Sequence, residues 1–131
     1  MEIRIVNHID DFALLEQSWH KLFNSREHSI FQSFAFNYFS WKHVLSQNCG
    51  GKLCILTIYQ NNVLVGIFPW YIYKQSVRFI NDKHVDFCDV LLQEGISINI
   101  FKIFKIINED QSIKELRLIN LKEDSLFFQQ V

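Results

Sequence analysis

Residues 84–92 read HVDFCDVLL, which places a histidine, two aspartates and a cysteine within six positions. Imidazole, thiolate and carboxylate are the side chains that ligate zinc, and an imidazole or carboxylate can also act as a general base. Spacing decides between these uses. In an extended chain His84, Asp86 and Cys88 share one side, while Val85, Phe87, Asp89 and Leu91 share the other. Same-face neighbours stand about 7 Å apart, too far for three in a row to close on one ion. No second ligand pair with zinc spacing accompanies them, so no metal is expected. The two aspartates then have two readings. They line a cleft and bind substrate, or backbone groups and Arg78 satisfy them while Cys88 packs as a small hydrophobe.

A second set of candidates is aromatic. Trp41, Trp70, Tyr71 and Tyr73 could form a shelf for a sugar ring, although aromatics at these spacings also suit a core. His20, His28 and His43 are dispersed and expected to be solvated. Covalent catalysis has no signature here, neither a Gly-x-Ser-x-Gly elbow nor a Cys/His pattern.

The totals exclude several classes. Thirteen basic against fourteen acidic residues, with no basic run, leave no electrostatic footprint for nucleic acid. The longest uncharged apolar run, Val63 to Tyr73, is too short to span a bilayer, and MEIRIVNHIDD has no secretory h-region. Cys49, Cys54 and Cys88 are an odd set without CxxC spacing, which reads as reduced thiols in a cytoplasmic protein. With 131 residues, 49% of them hydrophobic, the chain can bury one core and is expected to be a single domain over 1–131.

The elements that must position these residues follow from periodicity. Ile3 and Ile5 alternate with polar residues in a first strand, and Asp10 or Asp11 is placed to cap a helix bearing Phe12, Leu15, Trp19 and Leu22. A second helix is expected from Ser33 to Ser46, with Phe34, Tyr38, Trp41 and Leu45 on one face. KLCILTIYQ and VLVGIFPWYIYK flank Asn61-Asn62, whose tolerance of positive φ suits a two-residue hairpin. Pro69 should sit at a bulge or an unpaired edge. SVRFI and HVDFCDVLL continue as extended segments, bending around Asn81-Asp82. Residues 96–108 read as a helix after Gly95, ELRLINL (115–121) as a mostly buried strand, and LFFQQV as the start of a further helix. The result is an α+β fold of order β-α-α-β-β-β-α-β-(α), a mixed, largely antiparallel sheet with helices on both faces.

That order, with Trp19 and Leu22, SIFQSFAFNYFSW, VGIFPWYIYK, RFIN, DFCDVLL and LRLINL, resembles the acyl-CoA N-acyltransferase (GNAT) fold. It is most similar to the N-terminal module of the FemAB/CelD-like acetyltransferase group. The resemblance covers about Asp10 to Ser125 and implies one module of a two-module transferase acting on a polysaccharide or cell-envelope component. It places Asp86 and Asp89 on the strand that lines the substrate cleft, and acetyl-CoA at the loop bearing Gln93, Gly95 and Ser97. That loop departs from the family's Q/R-x-x-G-x-G/A pattern. Gln93-Glu94-Gly95-Ile96-Ser97 has one glycine at the wrong spacing, and Glu94 would repel pyrophosphate. The chain also ends before the tyrosine-bearing segment of a complete transferase. The expectation is a non-catalytic or substrate-facing module whose Leu126, Phe127 and Phe128 are covered by a second module or by another copy. A homodimeric interaction domain and a self-contained acetyl-CoA-dependent N-acetyltransferase are the alternatives.

Overall fold

The computed structural model describes residues 1–45, 50–82, 85, 87–110 and 112–131. Six strands form one sheet: β1 (Glu2–Val6), β2 (Lys52–Gln60), β3 (Val63–Tyr73), β4 (Ser76–Phe79), β5 (Leu91–Leu92) and β6 (Glu115–Leu116). They run in the order β1-β2-β3-β4-β6, with β5 pairing β3 beyond the end of β4. All pairs are antiparallel except β4 with β6, which are parallel and joined by a helical crossover. The helices are α1 (Ile9–Ala13), α2 (Glu16–Asn24), α3 (Phe34–Ser40) and α4 (Ile100–Asp110).

The central strand explains the two-sided architecture. From Leu64 to Ile72, β3 is buried without a break. Successive side chains of a strand point to opposite faces, so it must be covered on both. Ile67 and Tyr71 join Phe12, Trp19, Phe34 and Trp41 in a core under α1–α3. Phe68, Trp70 and Ile72 join Ile100, Ile103, Ile107 and Phe127 in a second core under α4.

Several local expectations change in this setting. His8, not Asp10 or Asp11, caps α1: its Nδ1 accepts from the Asp10 amide, while the two aspartates occupy the first turn. The first helix breaks at Leu14-Leu15, yet Phe12, Leu15, Trp19 and Leu22 all stay buried, so the apolar stripe survives the break. The second helix is regular only to Ser40 and continues as a wide, π-type turn, Trp41–Leu45, that keeps Trp41 and Leu45 in the core. Ser46, its expected end, lies outside the described residues.

Residues 96–99 do not join α4, because the Asn99 side chain accepts from the Phe101 and Lys102 amides and so fixes the start at Ile100. Segment 115–121 is not a buried strand. Only Glu115–Leu116 pair, both exposed, because β6 is the outer strand of the sheet and has no neighbour to cover it. Pro69 lies on the central strand, and the bulge is elsewhere. Ile58 pairs Gly66 and Tyr59 pairs Leu64, so Val65 is the extra residue. The Pro69 carbonyl accepts from Ile80, but its ring nitrogen cannot return the bond, and β4 pairing stops there. Beyond this gap the same edge of β3 pairs β5 through Gly66 and Ile67.

Two hairpin turns have positive φ at both central residues. Asn61 (51°) and Asn62 (63°) were expected, while Lys74 (49°) and Gln75 (63°) carry no turn signature. A left-handed residue other than glycine costs about 1–2 kcal/mol, and glycine returns about 0.5–1 kcal/mol of that as unfolded-chain entropy. Gln75→Gly is therefore expected to stabilise the protein by about 0.5–1 kcal/mol in urea unfolding. Gly66→Ala should act oppositely. Its Cβ would lie 3.0 Å from Leu92 Cδ2 and 3.2 Å from Ile58 Cδ1 in a filled core, and overpacking of this kind costs about 1–3 kcal/mol. An unchanged or raised midpoint for Gly66→Ala would show that the β3–β5 junction is looser than this contact implies.

Candidate functional site

Where β4 stops at Pro69, the chain leaves the sheet and returns at β5, and the stretch rich in potential ligands lies on this excursion. Asn81 is buried with φ 72°, a left-handed turn that Asn tolerates. Its Nδ2 donates to the Phe36 carbonyl. Asn120 binds the excursion from the other side: its Nδ2 donates to the Asp82 carbonyl at 2.6 Å, and its own carbonyl accepts from the Cys88 amide at 2.8 Å. Phe87 sets its ring edge-on to Phe31 at 5.3 Å, and Lys122 Nζ lies 3.9 Å above the Phe87 ring.

These segments enclose a polar cleft of about 240 Å³, lined among others by Arg26, His28, Gln32, Cys88, Asp89 and Lys122. Asp89 is its organising group. Oδ1 accepts from the amides of Val90 (2.8 Å) and Phe127 (3.1 Å), and Oδ2 accepts from Leu126 (2.9 Å). The carboxylate thus ties the approach to β5 to residues 37 and 38 positions downstream. Burial pushes its pKa above the ordinary carboxylate value, although the three amides and the nearby His28 pull the other way. With its lone pairs directed at backbone donors, Asp89 acts as a clasp and has little capacity left to take a proton from a substrate.

The neighbouring groups are constrained as well. Burial, reinforced by Asp82 and Asp89, pushes the Cys88 thiol up to about 12, so it is neutral and neither a nucleophile nor a metal-binding thiolate. His28 is not solvated as its loop position suggested. Its Nδ1 stands 2.9 Å from the Phe23 carbonyl and must donate, its ring stacks on Phe23 at 5.7 Å, and Nε2 is buried with no hydrogen-bond partner among the described residues. His20 and His43 are exposed.

The remaining sequence candidates are scattered. Trp41 and Trp70 are 5% and 0% exposed and lie in the two separate cores, on opposite faces of the sheet, so no single shelf contains both. Gln93, Gly95 and Ser97 are exposed. Gly95 (φ 84°) serves a turn closed by the Ile96 amide on the Gln93 carbonyl. The helix start beyond that turn is already occupied, by Asn99 on the Phe101 and Lys102 amides and by Gln130 Oε1 on the Ile98 amide. His84 and Asp86 lie outside the described residues, and among those described no group of three or more His, Cys, Asp or Glu could hold a metal ion. Leu126–Phe128 are not a uniformly open patch. Phe127 is 5% exposed against Phe68 and Trp70, while Phe128 is 46% exposed.

Sequence reasoning missed His28, Gln32 and Asn120 as parts of this site. Their roles come from contacts such as Asn120 with Asp82, 38 positions apart, which no local pattern encodes. Among the described residues no helix is long and apolar enough to cross a membrane. No protein-family model, curated protein or solved structure matches this chain.

Asp89→Asn keeps an oxygen for Val90 and Phe127 but can turn an amide NH₂ toward the Leu126 N–H. A mispaired buried donor costs about 1–3 kcal/mol, the loss expected at neutral pH. The pH dependence has a definite sign. A carboxyl whose pKa is higher in the folded state contributes most below its unfolded value and loses that contribution as pH rises through the folded one. The stability gap between wild type and Asp89→Asn should therefore widen between about pH 7 and about pH 4 in urea unfolding. A gap that narrows on acidification would mean that the amides outweigh burial.

Proposed function

We propose that this chain is a GNAT-like module of the FemAB/CelD-like acyltransferase type that carries no acetyl-CoA chemistry of its own. Its role is to present a binding or scaffolding surface within an enzyme acting on a polysaccharide or cell-envelope component. The observation that carries this reading is the strand order. An antiparallel run β1-β2-β3-β4 is followed by a helical crossover to a single parallel partner, β6, a mixed, largely antiparallel sheet that supports this reading.

The non-catalytic part of the proposal rests on how the chemistry-bearing groups are used. The α4 amides nearest the 93–97 loop are capped by Asn99, where a pyrophosphate would need them. Asp89 is committed to three backbone donors, and the Cys88 thiol is neutral. Positioning alone can accelerate acyl transfer, but it requires that the donor be held, and a filled cradle does not hold it.

Calorimetric titration of the purified protein with acetyl-CoA tests the proposal. The expected result is no saturable heat up to millimolar ligand and no release of free CoA thiol in the presence of amine acceptors. Micromolar binding would replace the module reading with a self-contained N-acetyltransferase and would make Asn99 and Gly95 the residues to mutate next.

A further inference from the structure

A second cavity lies away from Asp89, in the wedge between α4 and the β4–β6 end of the sheet. It measures about 600 Å³, within the range of small-molecule sites. It exists because the layers end unevenly. α4 turns Phe104 and Ile107 toward the sheet, but beyond β4 that sheet is continued only by the two-residue β6. Val77 and Ile107, 0% and 1% exposed, form the floor, and Ile113, Leu116 and Phe104 form the apolar walls.

Charge at the rim is one-sided. Lys105 and Lys114 line the cleft, are exposed and have no ion-pair partner among the described residues. The one acid among the described lining residues, Glu115, faces the Arg117 guanidinium at 3.5 Å and is largely offset by it. The Asn108 side chain is engaged with the Ile113 amide and stiffens the turn after α4. An apolar trough with two exposed ammonium groups at its edge complements a molecule with an apolar body and an anionic head.

We infer that this wedge is a binding site for a small amphipathic carboxylate, its aliphatic chain on Val77, Ile107 and Leu116 and its head group at Lys105 and Lys114. The site is independent of the acyltransferase reading and stands even if acetyl-CoA binds at the 93–97 loop. Decanoate is a suitable probe, with decanol as the uncharged control and mixed phosphatidylcholine–phosphatidylglycerol vesicles as the membrane-borne source of the same chemistry.

The experiment is a methyl-resolved NMR titration of the full chain. Decanoate is expected to shift the Val77, Ile113 and Leu116 methyls in a saturable way, with decanol binding at least tenfold more weakly. Leu116→Asp, on a wall residue already 38% exposed, should abolish the shifts while leaving the amide spectrum dispersed. The surface double variant Lys105→Glu/Lys114→Glu should weaken decanoate at least tenfold and leave decanol unchanged, a result that does not depend on how Leu116→Asp folds. Four results would each overturn the inference: no shift at millimolar decanoate, shifts confined to other methyls, vesicle binding without decanoate binding, or a concentration-dependent dimer occluding these same methyls.

Discussion

Strand β3 has hydrogen-bond partners on both edges and a side-chain layer on both faces, and the rest of the protein is arranged to satisfy it. A strand in that position cannot alternate polar with apolar, because either face would then bury unpaired polar groups. The unbroken burial of Leu64 to Ile72 is the outcome, and it obliges the chain to supply two cores. The helices before β2 provide one, and α4 with Phe127 provides the other. Pro69 adds a second obligation. By ending the β4 ladder in mid-strand it sends the chain away from the sheet, so that described backbone groups such as the Asp82 carbonyl and the Val90 amide are bonded by side chains. Asn120, on the Asp82 carbonyl, and Asp89, on the Val90 amide, take over that role, while Asn81 ties the segment to the Phe36 carbonyl of α3.

This division of labour bears on the chemistry. Polar side chains are used as connectors: Asp89 for amides, Asn99 for the start of α4, His8 for α1, and the Trp19 indole for the Gln32 carbonyl at 2.9 Å. Each satisfies a buried or terminal backbone group that would otherwise be orphaned, at a typical cost of about 1–3 kcal/mol. What remains for recognition is surface that the fold does not need, and the α4–β6 wedge is such a region.

The parts of this structure legible in the sequence are those that local chemistry decides. Asn61-Asn62 could be assigned because Asn tolerates the left-handed region, and the stripe Phe12, Leu15, Trp19, Leu22 because its spacing encodes one helix face. Lys74-Gln75 adopts the same turn without any such preference, since the pairing of Tyr73 with Ser76 imposes it. The alternation of Leu116 and Leu118 suggested burial, but a period of two cannot say whether a strand will be flanked on one side or two. β6 is flanked on one. Asp89 was legible as polar and important, but not as a clasp, because its partners are peptide N–H groups 37 and 38 residues away.

The bulge at Val65 has a consequence for fidelity of assembly. A strand that is apolar on both faces carries no polar stripe to report which way it is turned, so a slip of one residue along β2 would bury nearly the same surface. The extra residue removes that degeneracy. Before it Leu64 faces the α1–α3 layer, after it Ile67 does, and the two halves of β3 are out of phase by one position. Gly66, directly after the bulge, fits only beneath Ile58 and Leu92. The Val65 carbonyl is also bonded by the Gln93 amide at 2.8 Å. Together these features act as a reading-frame mark for the sheet, distinguishing one alignment from neighbours that hydrophobicity alone would treat as equivalent.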